Sequence, residues 1–324
     1  MKILVCGGAG YIGAHMVRYL MRERHQVVVL DNLSTGHAKA VPEGLLEVGD
    51  LLEPASLEAV FARNCFDGVI HLCARSLVSE SVAQPYIYYQ NNVMGTLHLL
   101  QAMQKANVSK LVFSSTAAVF GNPVTPLIGE DHPTRPISPY GTSKLMVERI
   151  LADAATAYGL RSASLRYFNA AGADVQGGIG ESHQRESHLI PNILRAIQEQ
   201  RASLKVFGFD YPTRDGTCVR DYIHVQDLAS AHLCALQYMD THAGAHTFNL
   251  GNGQGFSVLE VIEAARHVTG HPIVFERAPR RSGDPAVLVA SSQRARHELG
   301  WQPHFTDIRE IIDTAWRWHR APIY

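Results

Sequence analysis

The chain opens with Lys2-Ile3-Leu4-Val5-Cys6-Gly7-Gly8-Ala9-Gly10-Tyr11-Ile12-Gly13, and this stretch decides the fold. The first five residues are mostly apolar and predict a short buried strand. Glycines in the G-x-x-G-x-x-G spacing follow it directly, and a helical stretch follows the glycines. Such glycines permit a tight turn and bring backbone N–H groups close to a pyrophosphate at the helix N-terminus. The opening therefore predicts the first strand, turn and helix of a dinucleotide-binding sheet.

Short apolar runs alternate with helical stretches through the first half of the chain. Beyond the opening strand, we expect strands at about 25–31, 68–72, 110–114 and 162–167, and helices at about 11–24, 54–63, 92–107 and 143–158. Unbroken apolar runs separated by helices indicate a parallel sheet that is covered on both faces. We predict an α/β fold with a doubly wound, Rossmann-type parallel sheet over residues 1–169, joined by a returning segment at about 225–250.

The regular alternation ends after Asn169. Residues 170–186 are rich in Gly, Ser and other polar residues and are typical of a loop. Further on, we expect helices at about 190–200, 225–239 and 307–319, and extended segments at about 204–207, 218–223 and 246–250. We predict that residues 170–324 form a smaller, mixed α/β lobe that binds the substrate.

Composition excludes several classes of function. The chain has 324 residues, with 29 Lys and Arg against 30 Asp and Glu and no basic tract, so nucleic acid is not an expected partner. No stretch reaches the roughly 18 apolar residues of a membrane span. The five cysteines are scattered without a C-x-x-C, and no H-E-x-x-H occurs, so we expect neither disulfides nor a metal site. This cysteine pattern fits the reducing cytoplasm.

Tyr140 and Lys144 lie four residues apart where a helix is predicted to begin. Positions i and i+4 share one helix face. An ammonium beside a phenol favours the phenolate, so we expect the pKa of Tyr140 to fall from about 10 towards neutrality. A tyrosine in that state can take a proton from a sugar hydroxyl. The spacing alone also fits a surface tyrosine that happens to lie beside a lysine.

Three further side chains stand at the ends of predicted strands. Asp31 follows the second strand, where a carboxylate accepts hydrogen bonds from ribose hydroxyls and repels a 2′-phosphate, which predicts NAD rather than NADP. Thr116 ends another strand, where its hydroxyl could bridge a substrate and Tyr140 or simply cap the junction between strand and loop. Asp50 could accept from an adenine amino group or cap the helix that begins near Pro54.

Taken together, these motifs resemble the extended short-chain dehydrogenase/reductase family, and within it the nucleotide-sugar epimerases. The closer matches cover nearly the whole chain and run in order along it: Gly10-Tyr11-Ile12-Gly13, Asp31-Asn32-Leu33, Glu80-Ser81-Val82, Asn91-Asn92-Val93, Ser138-Pro139-Tyr140, Arg166-Tyr167-Phe168-Asn169, Phe207-Gly208, Asp210-Tyr211-Pro212-Thr213, Asp215-Gly216-Thr217, residues 220–225, Asn249-Leu250-Gly251 and Arg280-Arg281-x-Gly283-Asp284.

The resemblance implies an NAD-dependent isomerase that reversibly inverts C4 of UDP-glucose and UDP-galactose through a transient 4-keto sugar. It implies catalytic roles for three residues: Tyr140 as base and later acid, Lys144 on the nicotinamide ribose, and Thr116 as a hydroxyl partner. The implied cofactor site comprises Gly7, Gly10, Tyr11, Ile12, Gly13, Asp31, Asn32, Ser34, Thr35, Gly36, Asp50, Leu51, Leu72, Ala74, Ser76, Asn91, Tyr140, Lys144 and Phe168.

The resemblance also implies a site for the UDP-sugar. It comprises Thr116, Asn169, His188, Leu189, Val206, Phe207, Arg220, Tyr222, Arg281, Asp284 and Leu288. The guanidinium groups of Arg220 and Arg281 suit the two phosphates, because their forked donors match phosphate oxygens. Asp284 is expected to accept from a ribose hydroxyl of the uridine.

The chain departs from the epimerase pattern at three positions. Ser76 stands where some epimerases have a lysine near the nicotinamide, with Arg75 as a possible substitute. His188 replaces an asparagine found in other members. Leu288 falls where a tyrosine narrows the sugar pocket of enzymes that are strict for glucose and galactose. A 4-epimerase of another UDP-sugar, N-acetylated or pentose, therefore stays open.

Two other functions are less compatible with the residues. A nucleotide-sugar dehydratase on this fold needs an acid/base pair beside the strand-end hydroxyl, but Ala117 and Ala118 follow Thr116. A module that only binds NAD would have no need for Tyr140 and Lys144 at helical spacing. The family further implies a homodimer, paired through the helices at 92–107 and 143–158.

Overall fold

The computed structural model describes residues 1–184, 186–199, 204–281 and 284–324. The strands are β1 (Lys2–Cys6), β2 (Gln26–Asp31), β3 (Leu46–Val48), β4 (Gly68–His71), β5 (Lys110–Thr116), β6 (Leu127–Ile128), β7 (Arg161–Tyr167), β8 (Asn169–Ala171), β9 (Leu204–Phe207), β10 (Val219–Arg220), β11 (Tyr222–His224), β12 (Ala245–Leu250), β13 (Phe256–Ser257), β14 (Phe275–Ala278) and β15 (Val287–Ala290). The α-helices are α1 (Tyr11–Arg22), α2 (Pro54–Arg63), α3 (Val78–Ala83), α4 (Pro85–Tyr88), α5 (Gly95–Lys105), α6 (Pro139–Tyr158), α7 (Leu189–Glu199), α8 (Val225–Tyr238), α9 (Val258–Thr269), α10 (Gln293–Glu298) and α11 (Ile308–Arg320).

A seven-stranded parallel sheet forms the centre of the fold, in the order β12-β7-β5-β4-β1-β2-β3. One apolar cluster packs α1 and α8 against one face of this sheet. A second cluster packs α2, α5 and α6 against the other face. Helices therefore cover both faces of the sheet, and the predicted doubly wound fold is confirmed.

Two glycines explain why the opening turn takes its shape. Gly7 has a φ of 83°, and a Cβ there would lie 2.9 Å from the backbone nitrogen of Cys73. A Cβ on Gly13, in the first turn of α1, would lie 2.0 Å from the carbonyl oxygen of Gly7. Side chains at either position would therefore force α1 away from the end of β1.

Smaller sheets form the remainder of the chain. β13, β10, β15 and β6 form a four-stranded sheet, while β11 pairs with β8 and β14 with β9. A third apolar cluster packs α7, α9 and α11 together. β12 joins the large sheet and β6 joins a small one, so the chain crosses between them more than once. The division into lobes at residues 169 and 170 stays a prediction.

Most predicted elements occur within a few residues of their expected bounds, and the exceptions have physical causes. α6 begins at Pro139 rather than at 143, because the Ser138 hydroxyl caps it and proline suits the first helical position. The stretch expected as one helix at 92–107 is instead a π-helical segment, Tyr89–Met94, followed by α5. The short helices α3 and α4 before it were not predicted. The expected helix end at Gln200 lies outside the described residues, as does Gly283.

α9 was also missed, although the sequence carries its signals. Ser257 and Glu260 form a reciprocal capping box at its start, and Gly270 ends it in the left-handed conformation.

No helix in the described residues has the length and apolar character needed to cross a bilayer. The five cysteines are free thiols.

Candidate active site

α6 presents Tyr140 and Lys144 to the carboxyl end of β5. The Ser138 hydroxyl accepts from the backbone N–H of Gly141 at 3.2 Å, which fixes the first turn of the helix. Lys144 is almost fully buried, and its Nζ donates to the Ser114 carbonyl oxygen at 2.7 Å. The same ammonium lies 4.7 Å from the centre of the Phe113 ring. The lysine is thus held against the sheet on the side that faces the crevice.

The Thr116 hydroxyl caps the turn after β5 and acts on the reactive tyrosine. It accepts from the backbone N–H of Ala118 at 3.1 Å. It also favours the phenolate of Tyr140, since its influence lowers the pKa of that phenol. The ring of Tyr88 lies edge-on to the Tyr140 ring, with centroids 6.4 Å apart. The Tyr140 ring is therefore packed against one neighbouring ring, with one hydroxyl acting on its phenol.

The expected fall in the pKa of Tyr140 is not found in the ligand-free protein. Burial raises its pKa above 10, and the Thr116 hydroxyl lowers it only in part. Burial also lowers the pKa of Lys144 from 10.5 to about 7, against the opposing effects of Cys73 and Glu148. The prediction was wrong for this state because burial disfavours the charged phenolate more than Thr116 stabilises it.

A buried ion pair, missed from the sequence, fixes α6 to the sheet. Glu148 accepts from Arg166 of β7, with Nη2 to Oε2 at 2.6 Å and Nε to Oε1 at 2.9 Å. Both side chains are only 6% exposed. The Ser115 hydroxyl of β5 donates to the same carboxylate at 2.5 Å. The sequence feature that could have indicated this ion pair is Glu148, which lies one helical turn after Lys144 on the same face of α6.

Asn92 also fixes the position of α6, through Ser143 in the first turns of the helix. Its Oδ1 accepts from the backbone N–H of Arg75 at 2.9 Å, and its Nδ2 donates to the Arg75 carbonyl at 3.1 Å and to the Ser143 hydroxyl at 3.0 Å. The Ser143 hydroxyl in turn donates to the Tyr140 carbonyl oxygen at 2.7 Å. The loop after β4, which carries Ala74 and Ser76, is therefore tied to the turn that holds Tyr140.

The N-terminus of α1 has the character of an anion site. No side chain caps this helix, and within the described residues nothing accepts from the backbone N–H groups of Tyr11, Ile12 and Gly13. The first bond of the helix runs from Ala14 to the Gly10 carbonyl at 2.9 Å. Free N–H groups at a helix start attract phosphate, which fits the pyrophosphate of a dinucleotide. The phenol of Tyr11 points elsewhere and donates to the Gly172 carbonyl at 2.7 Å.

Asp31 is buried at the end of β2 and closes the same turn. Its carboxylate accepts from the backbone N–H groups of Ala9 at 2.9 Å and Leu33 at 2.8 Å. Asp50 accepts from the Asn32 amide at 2.8 Å and from the backbone N–H of Leu52 at 2.8 Å. It does not cap α2, whose N-cap residue is Glu53. These carboxylates form one acidic rim beside the free N–H groups.

The other predicted cofactor positions surround this rim. Gly36 packs so closely on Ala9 that a Cβ would lie 2.8 Å from the Ala9 carbonyl carbon, and Ser34 and Thr35 are in the turn before it. Leu72 directly follows β4, and its backbone N–H donates to the Cys6 carbonyl at 2.8 Å. Asn91 donates to Asn92 at 3.0 Å. Leu51 differs from the rest, because its side chain belongs to the apolar core.

A cavity of about 570 Å³ lies beside the carboxyl ends of β8 and β9. Nine of the predicted substrate residues line it: Asn169, His188, Leu189, Val206, Phe207, Arg220, Tyr222, Arg281 and Asp284. Thr116 and Leu288 are not among its lining residues. The volume suits a nucleotide-sized ligand, which occupies several hundred Å³.

The charged side chains of the cavity are held by few contacts. Arg220 donates to the Pro285 carbonyl at 2.9 Å, and its other terminal nitrogen lies 3.5 Å from the Asp284 carboxylate. The Arg281 guanidinium stacks 4.2 Å from the centre of the Phe207 ring. The wall also includes Arg195, Lys205 and Glu199, so cations outnumber carboxylates in it. This balance suits a diphosphate beside a hydroxyl-bearing sugar.

Phe168 and Leu288 lie in the same apolar environment. Both pack against one apolar cluster, which includes Val119 and Leu145. The neighbouring Asn169 has its amide fixed by the Asp221 carbonyl at 2.7 Å. Its conformation is therefore set by the protein before any ligand binds.

Comparisons with known proteins agree with this geometry. The NAD dependent epimerase/dehydratase family matches residues 3–251. A UDP-glucose 4-epimerase of Halalkalibacterium halodurans is 52% identical, over 99% of this chain and 96% of its own length. A UDP-glucose 4-epimerase of Stenotrophomonas maltophila, solved with NAD and formylated UDP-arabinopyranose, has a TM-score of 0.95 at 42% identity and covers 99% of this chain and 98% of its own.

A further solved structure is that of the UDP-Glc/GlcNAc 4-epimerase of Campylobacter jejuni. It has a TM-score of 0.87 at 41% identity, and the match covers 98% of this chain and 99% of that chain.

We predict that Lys144 titrates near pH 7 in the ligand-free protein. The chain has six lysines, so ¹³C NMR of lysine side chains, assigned with Lys144→Met, can follow each one. Because the unfolded chain keeps this proton up to about pH 10.4, it binds more protons than the folded state between about pH 7 and 10. This group therefore makes the folded protein more stable as the pH rises through that range. Exposed Lys39 gives the reference signal. A Lys144 signal unchanged up to pH 9 would contradict the prediction.

Proposed function

The chain belongs to the NAD dependent epimerase/dehydratase family, and we propose that it interconverts UDP-glucose and UDP-galactose by inverting C4. The observation that carries the proposal is the position of Tyr140 on α6, with buried Lys144 one helical turn away. The Thr116 hydroxyl, at the end of β5, acts on the same phenol and lowers its pKa. A phenol with an amine and a hydroxyl placed in this way suits the removal and return of one proton from a sugar alcohol. It is joined to a cavity that suits a nucleotide diphosphate.

The residues of the nucleotide end fit NAD. The free N–H groups of α1 suit the pyrophosphate, and the Gly7 and Gly13 positions leave no room for side chains that would keep it away. The Asp31 carboxylate suits the two ribose hydroxyls of the adenosine. NAD, when bound, supplies a reversible hydride acceptor for C4 of the sugar.

In the mechanism we propose, Tyr140 takes the proton of the C4 hydroxyl, which Thr116 orients by its own hydroxyl. The sugar becomes a 4-keto sugar while Arg220 and Arg281 hold the diphosphate. With the nucleotide anchored, the keto sugar turns to present its other face. Tyr140 then returns the proton to the C4 oxygen, and the product has inverted configuration. Because burial keeps Tyr140 protonated in the ligand-free protein, the pKa must fall when the ligands bind.

The geometry also supports the choice of reaction within the family. A dehydratase needs a further proton donor beside the strand-end hydroxyl. In this chain the residues after Thr116 are Ala117 and Ala118, and Thr116 caps their turn. That turn therefore has no carboxylate that could serve as the acid/base group for elimination of water.

A second candidate function is 4-epimerisation of a UDP-sugar with a bulkier or different sugar. Leu288 supports it, because this side chain packs against the same apolar cluster as Phe168 and is smaller than a tyrosine. The relatives give further support, since one is a UDP-Glc/GlcNAc 4-epimerase and another was solved with a UDP-pentose derivative.

We also propose that the enzyme is a cytoplasmic homodimer. Large apolar side chains are exposed on the outer surfaces of α3, α4, α5, α6 and the segment before α5: Val78, Val82, Tyr86, Met94, Leu97 and Met146. These elements contact one another, and exposed apolar side chains on neighbouring helices are typical of a subunit interface. The free, scattered cysteines support a reducing compartment.

The first test is conversion of UDP-galactose by the purified protein without added NAD, followed by chromatography of the sugar nucleotides. We expect Tyr140→Phe to lower the rate about a hundred- to ten-thousandfold, because the proton acceptor is lost. Tyr158→Phe is the matched control, since Tyr158 lies on the same helix and is 67% exposed. The proposal fails if wild type converts nothing, or if Tyr140→Phe is as active as wild type.

The second test concerns the width of the sugar site. If Leu288 leaves room for an N-acetyl group, wild type should turn over both UDP-glucose and UDP-N-acetylglucosamine. Leu288→Tyr should then lower kcat/KM for the N-acetylated substrate about tenfold or more while sparing UDP-glucose. Leu127→Tyr is the control, because Leu127 is exposed on the same small sheet. An equal loss for both substrates would contradict this role of Leu288.

The third test concerns the subunit interface. Wild type should sediment at twice the mass of one chain, and Met94→Glu should shift it towards a single chain by placing charge in an apolar contact. Met21→Glu is the matched control, because Met21 is 43% exposed and Met94 48% exposed. Sedimentation of wild type as a single chain would overturn the proposed dimer.

A further inference from the structure

Two carboxylates and two imidazoles converge just before α7. They belong to Glu181, His183, Glu186 and His188, and we call them the Glu–His cluster. One possible ligand atom from each lies within 4.8 Å of the others. The proposed proton transfer does not use these side chains, although His188 lines the cavity and belongs to the predicted UDP-sugar site. The sequence analysis predicted no metal site.

The spacing within the cluster is close to that of metal ligands. The Nδ1 atom of His183 lies 3.2 Å from Oε1 of Glu181 and 3.4 Å from Oε2 of Glu186. The Nδ1 atom of His188 lies 3.6 Å from Oε1, the other oxygen of Glu186, and closer still to Oε1 of Glu181. Ligands at 2.0–2.1 Å from a tetrahedral zinc ion are about 3.3–3.4 Å from each other. The three distances given are close to that range, and one candidate atom from each of the four side chains lies within 4.8 Å of the others.

The burial of the acidic groups points in the same direction. The side chains of Glu181 and Glu186 are only 5% and 2% exposed, whereas those of His183 and His188 are 34% and 51% exposed. Two carboxylates removed from water next to each other require positive charge between them. The exposed imidazole edges leave a path by which an ion can reach them.

Surrounding contacts hold the ligands in their orientations. Oε1 of Glu186 accepts from the backbone N–H groups of Ser187 and His188, each at 2.8 Å. The indole of Trp318 donates to the Glu181 carbonyl at 2.9 Å, and Arg195 donates to the His183 carbonyl at 2.9 Å. Such outer contacts are what keep metal ligands in place in proteins.

We propose that the Glu–His cluster binds a divalent transition metal ion, zinc foremost, through two imidazole nitrogens and two carboxylate oxygens. Magnesium and calcium take six or more oxygen ligands, so two imidazoles at tetrahedral spacing select against them. Four protein ligands leave no open coordination position, which makes the ion structural rather than catalytic.

The site has a definite place relative to the cavity. His188 immediately precedes α7, and His188 and Leu189 both line the cavity. An ion held by Glu181 and His188 joins the loop before α7 to the start of that helix. It would therefore keep one wall of the cavity in its binding shape.

The test measures metal directly in untagged protein. After chelator treatment and dialysis, zinc is added, and the bound zinc is quantified by inductively coupled plasma mass spectrometry. We expect about one zinc ion per chain, and a cobalt-loaded sample with the intense visible bands of tetrahedral coordination. His183→Ala and Glu181→Gln should each bind zinc about a hundredfold more weakly or worse, because each loses a ligand.

The matched control is His297→Ala, which removes an exposed histidine on α10 and should bind as wild type does. Circular dichroism checks that each variant is folded. The cobalt spectrum is measured on the wild-type protein, so it tests the site even if a variant fails to fold. The proposal is overturned if wild type retains no zinc and gives no tetrahedral cobalt spectrum. It is also overturned if folded His183→Ala binds as tightly as wild type. In either case the cluster is a network of imidazolium–carboxylate ion pairs.

Discussion

The reactive groups depend on one buried ion pair, between Arg166 of β7 and Glu148 of α6. Since both side chains are almost inaccessible to water, each is held by the other, and removal of either would leave an uncompensated buried charge. Ser115 of β5 bonds the same carboxylate, so two neighbouring strands and α6 meet at this point. The contacts of Lys144 with Ser114 and of Tyr140 with Thr116 lie within two turns of it. Their geometry therefore follows from how this pair fixes the helix.

The electrostatic state of the site is less fixed than its geometry. Burial raises the pKa of Tyr140 and lowers that of Lys144 to about 7. Near pH 7 the ligand-free protein therefore has an uncharged phenol and a lysine that is only partly charged. Epimerisation needs the reverse, a phenol that loses its proton readily. The folded chain therefore supplies position, and the bound ligands must supply the charge that completes the site.

The sequence predicted the repeating strands and helices because their signals are local: short apolar runs, a glycine turn and a strand-end carboxylate. The family resemblance also implied nine residues of the cavity, although these come from four strands, α7 and two loops and meet only in the fold. What it missed depends on burial and on distant contacts. The spacing of Tyr140 and Lys144 predicted their common helix face, but the burial that raises the pKa of Tyr140 is visible only in the fold. Likewise, Glu181 to His188 fit no familiar metal motif, and their convergence is visible only in three dimensions.

The position of β12 has a consequence for how the protein is made. This strand forms the edge of the large sheet beside β7, yet it comes from residues 245–250. On the ribosome, the large sheet cannot be completed until that segment has emerged, and β7 waits as an unpaired edge while β8 to α8 are synthesised. Unpaired strand edges are where nascent chains pair wrongly with one another. The order of the strands therefore leaves the edge of β7 open to such pairing until residues 245–250 have emerged.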